Sequence, residues 1–225
     1  MRAAATPVGP PDARWGLELV HADAWLLAVH KPSGLLSQPG LGPALRDSAL
    51  SRLQQRWPTA RLAHRLDRDT SGLLLLALDA ASHRHLSLQF QRGLVRKAYV
   101  AEVHGQLARR RGCIDAPLAR VSTRPPRYGV VPGGKPSLTL WRRLALGPAS
   151  TRLLLLPRTG RSHQLRAHLA AIGHPILGDP LYGPADAAAD PGSGRLRLHA
   201  LGLRFHHPHS GAPLRLRCAG HWGDP

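Results

Sequence analysis

Acidic residues are scarce in this 225-residue chain: 13 Asp and Glu stand against 31 Lys and Arg, giving a formal charge of +18 and a pI near 11.7. Lysine is nearly missing too, with only Lys31, Lys97 and Lys135, so almost every cation is an arginine. A codon bias toward Arg and Ala explains part of the arginine count but not the shortage of acids. The imbalance points to a polyanionic partner, nucleic acid above all. The two cysteines, Cys113 and Cys218, form no CxxC pair, which excludes a disulfide scaffold or zinc knuckle. Both read as small apolar fillers in a reducing compartment. No apolar run approaches the roughly 20 residues of a membrane span, and the N-terminus lacks the apolar stretch of a signal peptide. A soluble, cytoplasmic protein without a membrane partner is the expectation. Aromatics make up only 4% of the chain and no strand carries a spaced exposed set, which disfavours a passive single-strand binder. GxGxxG, GxxxxGKS/T and GxSxG motifs are absent, so a nucleotide cofactor, a phosphate loop and a serine hydrolase all lack support.

Fourteen histidines invite a metal reading. The candidates are His83 with His85, His163 with His168, and His206, His207 and His209. None has HExxH spacing or sits with a Cys pair or dense carboxylates, so no metal site is expected. The histidines read mostly as surface groups.

Residues 1–15 are rich in Ala, Pro and Gly and read as a disordered tail; 16–225 reads as one domain. Leu17–His21 and Trp25–His30 read as strands around a polar turn, and KPSG (Lys31–Gly34) ends the second. Asp47 to Trp57 has helical spacing, with Asp47 or Ser48 as cap, Leu50, Leu53 and Trp57 on one face and Pro58 as stop. The polar stretch HRLDRDTSG (His64–Gly72) leads into Leu73–Leu78, a continuous apolar run that reads as a buried strand. Asp79 caps a helix that places Leu86 and Phe90 on one face; Lys97–Gly105 alternates as a strand. Thr139–Leu146 and Thr151–Leu156 read as a hairpin through Gly147-Pro148. Ser162 is the expected cap of a helix whose core stripe is Leu165, Leu169 and Ile172, with Gly173 as stop. Gly183–Gly194 reads as an exposed, mobile loop, and the last segments, RLRLHALGLRF and APLRLRC, as final strands. Strands and isolated helices interleave without a βαβ rhythm, so the class is α+β with a mixed, largely antiparallel central sheet flanked by helices and loops. No apolar stripe is left over once this core is assigned, so a monomer is expected.

Among so few acids, Asp67 is conspicuous: it lies between Arg65 and Arg68 in a polar loop abutting the most buried strand. Loops held by a rigid strand often carry catalytic groups. Asp67 and Asp69 are equally suited to organising a turn through side-chain hydrogen bonds. On the Ser162–Ile172 helix, His163 and Arg166 lie three apart, beside the apolar stripe. Arg166 there can grip a phosphate or orient a carboxylate, or simply belong to a solvated basic face.

Three blocks together resemble the RluA-type pseudouridine synthases: HRLDRDTSGLLLLA (His64–Ala77), KAYVAEVHG (Lys97–Gly105) and GRSHQLRAHLAAIGHPILGDPLYG (Gly160–Gly183). KPSGLL (Lys31–Leu36), GKPSLT (Gly134–Thr139) and LHALGLRFHHP (Leu198–Pro208) add weaker support, in the family's order. Two departures are minor: His30 precedes KPSG where the family usually has Asn, and the C-terminal end lacks Phe-x-x-Pro. Many relatives carry an N-terminal RNA-binding domain. This layout instead resembles the short subgroup that acts on a tRNA anticodon stem-loop and on large-subunit rRNA, as do SQPG and DSALSRLQQRWP.

The resemblance implies an active-site cleft across the sheet and an RNA isomerase that turns selected uridines into pseudouridine. Reactant and product are isomers, so no cofactor is expected. The target base must leave its stack before its far edge can react. By resemblance, Asp67 is the catalytic aspartate, acting as nucleophile or as base toward a ribose proton. Arg166 is expected to pair with Asp67 and aim it. Tyr99 is expected to stack on the flipped uracil. Arg65 enters the space the base leaves, and Lys31 and His64 are candidate substrate contacts, although Lys31 equally suits a purely structural turn. The rival class, a non-catalytic RNA-binding or assembly factor, would fit a chain lacking Asp67 or Tyr99; both are present.

Overall fold

The computed structural model describes residues 16–184 and 194–219. The expected tail, 1–15, and most of the expected loop at 183–194 lie outside the described residues. The chain divides into two compact units. One comprises the residues up to Arg96 and from Ala200 onward, the other Lys97–His199.

The first unit opens with β1 (Glu18–Ala22) and β2 (Leu26–Lys31), paired antiparallel. Asp23 makes the turn between them, its Oδ1 accepting the backbone N–H groups of Trp25 and Leu26. The helix α1 (Ala49–Gln54) is shorter than its spacing suggests. Ser48, not Asp47, is its cap, in a reciprocal capping box with Ser51, while Asp47 pairs with Arg52 on the surface. After the short β3 (Arg61–Leu62), β4 (Ser71–Ala77) is buried at every residue and pairs antiparallel with β2 and β3. Such complete burial is what a run of four leucines demands. Asp79 caps α2 (Ala80–Gln91), which packs Leu86 into the core with Phe90 beside it.

The second unit is a ladder of antiparallel strands. In it β5 (Arg96–His104) pairs with β10 (Ser150–Pro157), β10 with β9 (Leu138–Leu146), and β9 with β6 (Arg111–Asp115). The separate hairpin of β7 (Leu118–Thr123) and β8 (Pro126–Val130) completes its strands. Its helix, α3 (Gln164–Ala171), sends Leu165 and Leu169 into a cluster with Ala101, Val103, Trp141, Leu153 and Leu155. Ile172, expected in that stripe, is 38% exposed because the helix has already ended at Ala171.

The chain then passes through β11 (Leu198–His206), whose later residues return to the first unit and pair antiparallel with β12 (Pro213–Arg217). There Leu203, Phe205 and Leu216 join Leu26, Ala28, Leu73 and Leu75 in one core. The fold is α+β, and strand pairing within each unit is mostly antiparallel. Among the described residues no helix is long and apolar enough to cross a membrane. Cys218 fills the core as expected, but Cys113 is exposed, because it alternates outward with Arg111 and Asp115 on β6.

Candidate active site

Asp67 sits half-buried in the loop between β3 and β4, whose backbone is tied down by the KPSGLLS segment. Lys31, the last residue of β2, is fully buried, and its ammonium donates to three carbonyls: Pro32 at 2.9 Å, Leu35 at 2.7 Å and Arg68 at 2.8 Å. Gly34, at a φ of 85° that favours glycine, donates its N–H to the same Arg68 oxygen. Ser33 Oγ donates to the Asp69 carbonyl, and Ser37 Oγ to that of Leu66, while the Leu66 N–H returns to Ser37 Oγ at 3.0 Å. The backbone is thus held at 66, 68 and 69, on both sides of Asp67. The same segment satisfies the start of α1, whose Ala49 and Leu50 N–H groups donate to the carbonyls of Leu36 and Ser37.

With three donors and three acceptors, Lys31 is saturated. Desolvation lowers its pKa from 10.5 to about 8, opposed by the negative charges of Asp69 and Asp67. Of the two readings open for Lys31, the substrate contact is therefore corrected to the structural one, since its ammonium does not reach solvent. His64 also works inward: its Nε2 accepts the Leu75 N–H at 3.1 Å, and its ring stacks on Phe90 with centroids 4.9 Å apart. Arg65 is exposed. Gly72 closes the motif. Its φ is 114°, and a Cβ there would lie 2.4 Å from the Ala200 carbonyl oxygen, so only glycine lets β4 run this close to β11.

The second unit carries Tyr99 and Arg166. Tyr99 lies on β5 opposite Leu155 and packs against the core cluster that α3 helps to fill. Two residues earlier, Lys97 donates to the Thr159 carbonyl at 2.6 Å, which fixes the RTGR turn. Its pKa is lowered to about 8 by desolvation and by the neighbouring charge of Arg161. Gln164 organises the same turn. Its Oε1 accepts from Thr159 Oγ1 and from the Arg161 N–H, and its Nε2 donates to the Leu138 carbonyl and Thr139 Oγ1. The expected Ser162 cap gives way to this arrangement. His163 occupies the cap position in the left-handed region, at φ 52°, and its Nδ1 meets Tyr182 Oη at 3.1 Å. A histidine tolerates that backbone only when its surroundings hold it.

Arg166 does not belong to a solvated basic face; it is 2% exposed. Its Nε and Nη2 make a two-pronged bond to Asp179 at 2.8 and 2.7 Å, and Tyr182 lies beneath the guanidinium at 5.2 Å. Asp179 Oδ1 also accepts the N–H groups of Leu181 and Tyr182. Asp179 was not singled out from the sequence, although the scarcity of acids was the signal that could have found it. The histidines are likewise less superficial than expected. His30, His168 and His199 are buried, and His168 bridges Thr139 Oγ1 and the Ala116 carbonyl, both at 2.9 Å. Burial lowers its pKa, partly opposed by the Ala116 carbonyl and by Asp115.

Residues 25–171 match the family model described as RNA pseudouridylate synthase. The chain is 43% identical to a dual-specificity RNA pseudouridine synthase RluA of Yersinia pestis over 202 residues, covering 89% of this chain and 97% of the relative. With the protein of the same name from Escherichia coli (strain K12) it shares 41% identity over 210 residues, 92% and 94% of the two chains. Among solved structures, Human RNA Pseudouridylate Synthase Domain Containing 1 superposes with a TM-score of 0.77 at 30% identity, over 94% of this chain and 86% of that one. The chain belongs to the RluA-type RNA pseudouridine synthase family.

Proposed function

We propose that this protein isomerises specific uridines to pseudouridine in structured RNA, the targets being large-subunit rRNA, a tRNA anticodon stem-loop, or both. The dual-specificity relatives and the net charge of +18 support an RNA partner. We further propose that residues 16–225 act as one catalytic domain, as a monomer in the cytoplasm.

The observation that carries the reading is the frame around Asp67, which fixes the loop backbone at Leu66, Arg68 and Asp69. A loop anchored on both sides of one carboxylate pre-orients that group, and pre-orientation is the cheapest way to accelerate a unimolecular rearrangement. In this reading Asp67 acts on the flipped nucleotide, as nucleophile or as base toward a ribose proton. The N-glycosidic bond breaks, the uracil turns, C5 bonds to the ribose carbon, and the C5 proton is released while N1 gains one. Atoms balance without an oxidant, a nucleotide or a metal, so the reaction is proposed to be cofactor-free. Asp179 holds the guanidinium of Arg166, the second catalytic group in this reading, through two of its five N–H donors. Tyr99 stacks on the extruded uracil, Arg65 enters the vacated stack, and His64 stays a substrate contact only through the loop it anchors.

The test is tritium release from RNA carrying C5-tritiated uridine, with tRNA and large-subunit rRNA transcripts assayed separately, with and without EDTA. Release that survives EDTA from at least one RNA is expected. Tight binding of both RNAs without release would show an RNA-binding factor instead.

A further inference from the structure

The ladder of the second unit fixes where each side chain points. Tyr99, Leu155, Trp141 and Gly112 face one another across β5, β10, β9 and β6, and Leu155 and Trp141 belong to the core on that face. The next row, Val100, Leu154, Arg142 and Arg111, must therefore point to the opposite face. At its far end Arg142 and Arg111 stand directly opposite each other, both exposed. Like charges in that position destabilise a strand pair. The loop before β6 adds Arg109 and Arg110, also exposed. That loop is held outward by Arg143, whose Nη1 donates to the carbonyls of Leu107 and Ala108 at 2.7 and 2.8 Å and whose N–H meets the Arg110 carbonyl at 2.9 Å. None of the four has an ion-pair partner among the described residues, whereas Arg52, Arg68, Arg166 and Arg197 each hold a carboxylate.

We infer that Arg109, Arg110, Arg111 and Arg142 form a second RNA-contacting surface, which grips the phosphate backbone of the substrate away from the modified uridine. This rests on the proposed function. Four clustered, unneutralised guanidinium groups are complementary to a phosphodiester backbone, and a bound polyanion would offset the repulsion between Arg111 and Arg142. The surface lies two to three strand spacings, about 9–14 Å, from the Tyr99 strand and on the other face of the sheet. Only RNA extending well beyond the flipped nucleotide reaches it.

For whichever of the tRNA and large-subunit rRNA transcripts the wild type isomerises, affinity is measured for the long transcript and for a hairpin trimmed around the modified uridine. The variant R111Q/R142Q should bind the long transcript about tenfold more weakly and the hairpin as wild type does. Its log-affinity against log-salt slope should fall by about 1.5, the release expected from two phosphate contacts. R109Q/R110Q, outside the strands, should behave the same way and guards against misfolding of the first variant. R204Q/R215Q removes an equally exposed, directly opposed pair on β11 and β12 and should leave affinity near wild type. An equal loss in R204Q/R215Q would reduce the effect to net charge and overturn the inference. So would unchanged affinity in R111Q/R142Q, with or without self-association through the β6 edge, since arginines there would then serve to block strand pairing. Isomerisation of the hairpin by every variant keeps these outcomes apart from failure of the proposed function, which would show as no isomerisation of any RNA.

Discussion

The two units hold their proposed catalytic groups by different means. Around Asp67 the frame is made of backbone carbonyls tied down by donors from one short neighbouring segment, Lys31 to Ser37. Around Arg166 it centres on a buried ion pair, Arg166 to Asp179, reached across thirteen residues of sequence, with Tyr182 beneath the guanidinium. A distributed frame loses one bond at a time, whereas a buried pair fails at once when either partner goes. A guanidinium has five N–H donors, and Arg166 gives two of them to Asp179.

The largest effect should come from the ion pair. Asp179→Ala leaves a buried guanidinium without its carboxylate and should cost about 3–5 kcal/mol in a denaturant titration; a loss below about 1 kcal/mol would mean that Arg166 finds another partner. Lys31→Met keeps the stem and removes the ammonium, leaving three carbonyls short of a donor but sparing the cost of burying a charge. About 1–3 kcal/mol is expected. Activity per folded molecule at low temperature should fall far less than in Asp67→Asn, because the buried Lys31 ammonium acts through the frame and not on the substrate. Ser37→Ala removes one bond in each direction to Leu66 and should cost about 1–2 kcal/mol; if it costs as much as Asp179→Ala, the frame is not distributed.

The smallest effect is on pH. Burial holds the His168 pKa below its ordinary 6.5. Below that value the unfolded chain takes up a proton that the folded chain refuses. The His168 contribution is therefore complete above about pH 6.5 and declines as pH falls beneath it. Melting temperature followed from pH 7.5 to pH 5 should drop, and the drop should be shallower in His168→Gln.

Much of this was legible in the sequence. The four leucines of β4, the Asp79 cap and the hairpin of β9 and β10 rest on local signals, a run, a cap and a turn, and each forms where expected. Strands β6, β7 and β8 leave little trace in the sequence because they are mostly exposed, so no clear alternation of apolar and polar residues marks them. In the site, Asp67 stood out by its scarcity and by the buried strand beside it. The partner of Arg166 did not, since an ion pair between a helix and a later turn leaves no periodic trace. Ser162 is not the cap for a related reason: Gln164 organises the turn through four side-chain bonds, two within the turn itself and two to Leu138 and Thr139 on β9. Lys31 shows the converse limit, because a lysine in a polar motif suits a substrate contact or a structural turn, and only its burial decides for the turn.

The most direct measurement compares single-turnover tritium release and RNA affinity of Asp67→Asn with those of wild type, beside their melting curves. Release should fall by several orders of magnitude, with affinity and melting temperature close to wild type, because the bonds that hold the loop backbone at Leu66, Arg68 and Asp69 stay in place. Release at a comparable rate from the variant would contradict the assignment of Asp67, and a collapse of melting temperature would show that the carboxylate serves the fold.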